Sequence, residues 1–402
     1  MGYSHQAISG FSYQTLLKIT AAAVAVVKMA VLARLLGPEA YGIFSLSTIA
    51  LGLSEASTET GVNITMVRSE KTVKYFLDSA WVISICRAFV VGTVMLVLGF
   101  LLTNFFHQPD LLWLVALLSL VPVIRGFINP AIVGWQKELN FAADSWYRLA
   151  LILAEAIFAL TLAFIMHSVY ALPWAMILTA LLEVAISFIF VKNKPHFAYS
   201  RSRGAEIFSN SKALSVATFF NYLSENLDNL LIGKINGVYN LGLYDRSYAL
   251  AHKLNYEFAK SAYHSLFPTF SKFNKDSRRL KRAFKKSVLV LMTLFIVFSL
   301  PVLVKPEFFV KIILGEKWLA VAAFLPWLIL AGLVQSLSSL FYSLLLAQKK
   351  FTETNLHLFV SIALMVILII FLGQQYGIVG AAAAVFLARL LATPILFWAY
   401  RH

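Results

Sequence analysis

Sixteen ionisable side chains fall inside stretches that are otherwise apolar: Lys28, Arg34, Glu55, Glu59, Arg87, Arg125, Asp144, Arg148, Glu155, Glu183, Glu225, Asp228, Lys253, Glu257, Lys260 and Arg389. An isolated charge in a low-dielectric medium is costly, so such groups face a wet cavity or a partner. Cations there can replace the water that an anionic cargo loses in transit, and Lys28, Arg34, Arg87, Arg125, Lys253 and Lys260 are the candidates. Carboxylates can carry a proton or a sodium ion, or latch one conformation; Glu55, Glu59, Glu225, Asp228 and Glu257 are the candidates for that role. Glu55 and Glu59 are four apart, as are Lys253 and Glu257, with Lys260 three further on, so each set is expected on one helix face. The competing reading of any one residue is an ion pair between helices, or a side chain snorkelling from a span end, as for Arg34.

The elements that carry these charges are membrane helices. Of the 402 residues, 60% are hydrophobic and 13% charged, against roughly 45–50% and 25% in a soluble domain. Apolar runs recur along the whole chain, and about 20 residues cross the hydrocarbon core. Windows of that length predict spans near 13–36, 41–67, 77–104, 111–135, 146–167, 170–191, 213–236, 244–269, 287–305, 319–347, 355–373 and 377–400. The fold class expected is therefore an all-α membrane protein of about twelve transmembrane helices. Glycines and prolines inside the spans, Gly92, Gly99 and Gly126 among them, read as bends or packing features.

The connecting loops alternate in charge. Arg68, Lys71 and Lys74, then Lys192, Lys194, Arg201, Arg203 and Lys212, then eight Lys or Arg from Lys272 to Lys286, then Lys349 and Lys350 fall to one side. Loops at 105–110, 168–169 and 373–376 hold no Lys or Arg, and those at 305–317 are offset by Glu307 and Glu316. Basic loops stay in the cytoplasm, which places both termini there. The net charge of +15 belongs to these loops, and nucleic acid is discounted as a partner. The run KFNKDSRRLKRAFKK at 272–286 reads as an amphipathic cytoplasmic connector or, more sharply, as a headgroup-binding segment. No Gly-x-x-x-x-Gly-Lys-Ser/Thr segment is present, which argues against ATP hydrolysis. His107, His167 and His357 are scattered and no Cys/His cluster exists, so neither metal nor cofactor is expected. Cys86, the single cysteine, reads as a small core residue.

The two halves repeat. Leu32–Ser47 aligns without a gap onto Ile232–Ser247, so that Gly37 meets Gly237, Gly42 meets Gly242, Ser47 meets Ser247 and Arg34 meets Lys234. Six spans per half give two parallel lobes related by an axis along the membrane normal, able to rock about a central cavity. The lobes are expected at 1–192 and 213–402, joined by a basic cytoplasmic linker at 193–212. Lys28 and Asp228 are equivalent under the 200-residue offset, which suggests a latch between them.

The stretch LARLLGPEAYGIFSL ending at Leu46 resembles the polysaccharide-exporting, Wzx-type branch of the multidrug/oligosaccharidyl-lipid/polysaccharide (MOP) superfamily. Further likenesses are NLDNLLIGKINGVYNLGLYDRSYAL at 226–250, SLFPTFSKF at 265–273 and LLLAQKKF at 344–351. The resemblance implies twelve to fourteen helices in two lobes and export of undecaprenyl-diphosphate-linked oligosaccharide, an O-antigen, capsule or exopolysaccharide repeat unit, across the bacterial inner membrane. It implies a transporter, not an enzyme. Lipid-linked oligosaccharide and membrane lipids are the partners it brings, with a polysaccharide polymerase and a chain-length regulator alongside. The six cations named above are then candidates for the diphosphate. The chain ends at Arg401-His402 after the twelfth span where relatives often carry two more helices, which reads as a short or truncated member. Two alternatives stand beside this: a multidrug or lipid II exporter of the same superfamily, which for organic cations should favour an acidic lining, and a polytopic glycosyltransferase or polymerase, which should carry a large acidic extracytoplasmic loop.

Overall fold

The computed structural model describes residues 3–208, 211–252, 270, 272 and 277–401, and among these the regular structure is helical throughout. Lys253, Glu257 and Lys260, with most of the expected span at 244–269, lie outside the described residues. Helix α1 (Tyr3–Leu35) hands over to α2 (Pro38–Ser57) at Gly37, with Pro38 in the first turn of α2, where its missing N–H costs nothing. The expected span at 41–67 is broken: α2 stops at Ser57 and α3 (Val62–Arg68) restarts beyond it. Local chemistry explains the stop. Ser57 Oγ and Thr58 Oγ1 both donate to the carbonyl of Ser54, at 3.0 and 2.8 Å, in competition with the helix backbone. Gly61 then adopts a left-handed φ of 65°, a conformation open to glycine without steric cost. Lys137 Nζ closes the far end of α3 by donating to the carbonyls of Met66 and Ser69 at 2.9 and 2.8 Å.

Helix α4 (Val73–Phe106) runs unbroken through Gly92 and Gly99. These glycines serve packing. A Cβ at Gly92 would meet Val123 Cγ2 at 2.9 Å, and one at Gly99 would meet Val115 Cγ1 at 2.8 Å. Their missing side chains let α4 press against α5 (Pro109–Leu118) and α6 (Leu120–Arg125). After α6 the chain bends by 70° into a 3-10 turn (Pro130–Val133) and α7 (Gly134–Lys137), so the expected span at 111–135 is also not one straight helix. Asn129 holds the bend. Its side chain accepts from the Ala131 N–H at 3.0 Å and donates to the carbonyl of Asn193 at 2.8 Å, while its own N–H donates to Ser187 Oγ at 3.0 Å. Non-helical backbone is tolerated at membrane depth only where protein groups satisfy it in this way.

Helices α8 (Phe141–Met166) and α9 (Ala171–Phe190) follow, α8 packing on both α1 and α9. The chain beyond 192 then folds back onto the start of α4. The His196 N–H donates to Asp78 Oδ1 at 2.8 Å and the Ser200 N–H to Ser79 Oγ at 3.1 Å. Helix α10 (Arg201–Phe208) buries Ile207 there, and Lys71 pairs with Glu206 at 2.8 Å. That hydrogen bond holds the Lys71 ammonium above the usual lysine range. Tyr222, on α11 (Ser211–Asn236), lies over Gly52 of α2 and donates its hydroxyl to the carbonyl of Thr48 at 3.2 Å. Two compact units result, Met1–Glu225 and Asn226–His402.

The second unit continues with α12 (238–252), α13 (Ser277–Phe298), α14 (Leu300–Val304), α15 (Pro306–Ile313), a 3-10 segment (Glu316–Ala323), α16 (Leu325–Ala347) and α17 (Phe351–Arg401). The expected spans at 355–373 and 377–400 form one helical run that turns at Gly377, φ 61°. Leu280, Phe284 and Leu291 of α13 pack on Leu340, Phe341 and Leu344 of α16 and on Leu396 of α17.

The repeated motif occupies the same place in each unit. Gly37 and Gly237 are non-helical residues between two helices, and buried Ser47 and Ser247 donate to the carbonyls of Ile43 and Leu243. The glycines differ in conformation: Gly237 is left-handed at φ 88°, whereas Gly37 is extended at φ −82°, ψ 169°. Pro38 accounts for this, because a proline pushes the residue before it into the extended region.

The outer faces are those of a multi-pass membrane protein. Phe100 and Leu101 of α4 and Ile157, Phe164 and Ile165 of α8 are each more than half exposed. Five of the described helices, Val73–Phe106, Phe141–Met166, Ala171–Phe190, Leu325–Ala347 and Phe351–Tyr400, are long and apolar enough to cross a bilayer, or six counting the bent pair around Arg125. Cys86 is exposed and does not join the core. It shares the outer side of α4 with Phe89 and Val90, and a thiol facing hydrocarbon gives up nothing it would gain from burial.

Candidate functional site

A cavity of about 710 Å³ opens within the first unit, walled by α1, α2, α3, α4, α6, α8, α9 and the bend after Arg125. Helix α4 contributes Ser84, Arg87, Ala88 and Val91, and α8 contributes Asp144, Tyr147, Arg148 and Leu151. Each set is spaced i, i+3, i+4, i+7 and so forms a single helix face.

Arg87 is bound to the break in α2. Its Nε donates to the carbonyl of Thr58 at 2.8 Å and one terminal nitrogen to the carbonyl of Glu55 at 2.9 Å, and that nitrogen stands 3.5 Å from Glu59 Oε2. A cation here meets the negative end of the α2 dipole and satisfies carbonyls that the helix has stopped using. Glu59 in turn accepts from the Gly61 N–H at 2.8 Å, and its carbonyl accepts from Ser215 Oγ. The expected single stripe of Glu55 and Glu59 is therefore not formed. Glu55 stays on the last turn of α2 and lines the cavity, whereas Glu59 falls in the loop.

Arg125 and Arg148 are held more loosely. Arg125 Nε donates to Glu183 Oε2 at 3.1 Å and Arg148 Nε to Asp144 Oδ2 at 2.9 Å. Tyr147 donates its hydroxyl to Glu183 Oε1 at 3.3 Å, and Gln136 donates to Asp144 Oδ1 at 3.2 Å. Both arginine side chains are 40% or more exposed, and ion pairs that wet contribute only about 0–1 kcal/mol. Each engages its carboxylate through Nε, which leaves the terminal nitrogens as the first contact for an incoming oxyanion such as a phosphate. The lining carries three arginines, Arg87, Arg125 and Arg148, against three carboxylates, Glu55, Asp144 and Glu183. The cationic excess read from the spans is thus not concentrated on this wall.

Of the sequence candidates, the structure brings together Arg87, Arg125, Glu55 and Glu59. Lys28 sits elsewhere, donating to both carboxylate oxygens of Glu155 at 2.9 and 2.8 Å. Arg34 is exposed in the last turn of α1, where a cation suits the helix end. Glu225 is exposed and accepts from Asn221 at 3.3 Å. Asp228 is buried in the second unit, accepting from the Tyr244 hydroxyl at 2.7 Å and from the Asn229 N–H at 2.9 Å. Close by, Arg389 donates to Tyr248 Oη at 3.1 Å and to the carbonyl of Ala331 at 3.3 Å. Lys28 and Asp228 each have a partner within their own unit, which removes the motive for a latch. Sequence reasoning counted Arg148, Asp144 and Glu183 only as intramembrane charges and passed over Tyr147. The signal was the Asp-x-x-Tyr-Arg-x-x-Leu spacing from 144 to 151, a polar stripe in an apolar helix.

Residues 31–323 match the profile of a family described as polysaccharide biosynthesis protein. The chain belongs to this family. Its relatives within the polysaccharide biosynthesis proteins include the lipopolysaccharide biosynthesis protein WzxC of Escherichia coli (strain K12), 24% identical over 99% of this chain and 81% of WzxC. The teichuronic acid biosynthesis protein TuaB of Bacillus subtilis (strain 168) is 21% identical over 72% of this chain and 60% of TuaB. An inward closed structure of the lipid II flippase MurJ superposes with a TM-score of 0.73 at 14% identity, covering 96% of this chain and 87% of that one. An inward-facing multidrug MATE transporter of the MOP superfamily follows, with a TM-score of 0.64 at 13% identity over 95% and 94%. The matched profile covers most of the chain, and the all-helical fold is one that the MurJ and MATE structures share.

Proposed function

We propose that this protein is a flippase that exports undecaprenyl-diphosphate-linked oligosaccharide across the bacterial inner membrane by alternating access. In this reading twelve spans form two lobes, 1–192 and 213–402, with the 193–212 segment and both termini in the cytoplasm, and a polymerase and chain-length regulator take up the exported unit. The observation that carries it is the cavity in which Arg87, Arg125 and Arg148 converge from three helices. A diphosphate entering there displaces Glu183 from Arg125 and Asp144 from Arg148. The exchange is favourable because a diphosphate carries more charge than a carboxylate and can take two parallel hydrogen bonds from one guanidinium, whereas each wet ion pair it replaces contributes only about 0–1 kcal/mol. The carboxylates released, with Glu55 beside them, are then free to take up a proton or sodium ion. That supplies a route by which loading can be coupled to an ion gradient. Asp228, Lys253, Glu257 and Lys260 are proposed as the contribution of the second lobe.

Transport of a fluorescent undecaprenyl-diphosphate oligosaccharide into proteoliposomes tests this. R125Q combined with R148Q should lower the initial rate about ten- to a hundredfold, the worth of one to two charge-assisted contacts, while R125K with R148K retains much of it. The three carboxylates of the lining favour one rival, export of an organic cation. If the double glutamine variant exports the saccharide at the parental rate while E183Q and D144N abolish export of a cationic dye, that rival replaces the proposal.

A further inference from the structure

Helix α13 begins with SRRLKRAFKK and contains no acidic residue from Ser277 to Lys286. Arg278, Arg279, Lys281, Arg282, Lys285 and Lys286 are all exposed, whereas Leu280 and Phe284 are buried against α16 and α17. At about 100° per residue the six cations fill an arc of about 160° opposite the buried pair. The same arc then changes character within one turn. Leu289, Ile296 and Val297 continue it, each more than half exposed. A single helix face that is wholly cationic up to Lys286 and uncharged from Leu289, its one polar side chain there, Thr293, turning its hydroxyl back to the carbonyl of Leu289 at 3.0 Å, marks where the hydrocarbon begins.

That boundary fixes the depth of the charges. Lys286 and Lys285 precede Leu289 by about 4.5 and 6 Å of helix rise and Arg282 by about 10 Å, and any tilt brings them closer. The headgroup layer is about 5–8 Å deep on each side, and the side chains of Lys and Arg add their own reach. We infer that the basic start of α13 docks the phosphate headgroups of anionic phospholipid, with Arg282, Lys285 and Lys286 as ligands. Anionic lipid of the adjoining leaflet is the occupant because these cations stand at headgroup depth on a helix whose continuation is already in lipid. The site is separate from the cavity of the first unit, and stands whatever cargo that cavity takes.

Native mass spectrometry of the full chain released from nanodiscs containing equal amounts of phosphatidylglycerol and phosphatidylcholine tests it. The parent should retain phosphatidylglycerol over phosphatidylcholine by about tenfold or more, since three cations at a membrane surface correspond to about a hundredfold in partition. R282Q/K285Q/K286Q should lower that ratio by at least about tenfold, with an unchanged unfolding midpoint in phosphatidylcholine alone. The charge-preserving R282K/K285R/K286R should keep it, and soluble glycerol phosphate at matched ionic strength should not displace the lipid. Retention of the parental ratio by the triple glutamine variant, or displacement by soluble glycerol phosphate, overturns the assignment.

Discussion

Arg87 is expected to be worth more to the fold than any other charge in the first unit, and the hierarchy of its contacts says why. Its guanidinium makes two hydrogen bonds at 2.8 and 2.9 Å to the carbonyls of Thr58 and Glu55, and a looser approach of 3.5 Å to Glu59. Hydrogen bonds involving a charged group contribute about 1.5–3 kcal/mol each in soluble proteins, and side-chain hydrogen bonds inside membranes fall lower, at about 0.6–1.7 kcal/mol. Two bonds at intermediate strength give a loss of about 2–4 kcal/mol for R87Q. The Glu59 contact is long and its carboxylate is about a third exposed, so E59Q, which keeps an oxygen for the Gly61 N–H, should cost less than about 1 kcal/mol. Unfolding in bicelles by steric trapping measures both. Maleimide labelling of T60C reads the break directly and should accelerate in R87Q and not in E59Q. Equal losses in the two variants, or an R87Q within about 0.5 kcal/mol of the parent, would show that the ion pair or neighbouring packing holds the break and that the carbonyl bonds do not.

Two further outcomes follow from close contacts. A Cβ at Gly126 would stand 2.4 Å from Ala88 Cβ, so G126A should destabilise by about 1–3 kcal/mol through overpacking, and A88G should recover most of that in the double variant; thermal unfolding in detergent measures both. In the second unit, Y244F removes the 2.7 Å donor from the buried Asp228 carboxylate and should cost about 1–3 kcal/mol. If Y244F unfolds at the parental midpoint, that carboxylate does not depend on Tyr244.

How much of this was legible in the chain depends on the range of the interaction concerned. Composition and spacing between charged loops made the membrane helices readable, because hydrocarbon selects residues one window at a time. The repeated motif was readable from Gly37, Gly42 and Ser47 and their counterparts, and each copy sits at a junction between two helices. The breaks after Ser57 and Arg125 were not, although Ser54, Ser57, Thr58 and Gly61 supply a local cause for the first. An apolar window averages over such a cluster and passes straight through it. Cys86 went wrong for a related reason, since in a membrane protein an apolar neighbourhood in sequence does not separate core from lipid.

The candidate site divides along the same line. Arg87, Arg125, Glu55 and Glu59 were chosen by residue type alone, whereas Lys28 and Arg34, of the same types, have other surroundings. The sequence by itself determined that this is a multi-pass helical membrane protein of the polysaccharide biosynthesis family, since those properties are written in contiguous residues. Only the tertiary structure decided which charges share a wall. The partner of Arg125 is 58 residues away on α9 and that of Lys28 is 127 residues away on α8, and nothing local to either cation distinguishes a carboxylate that will face it from one that will not.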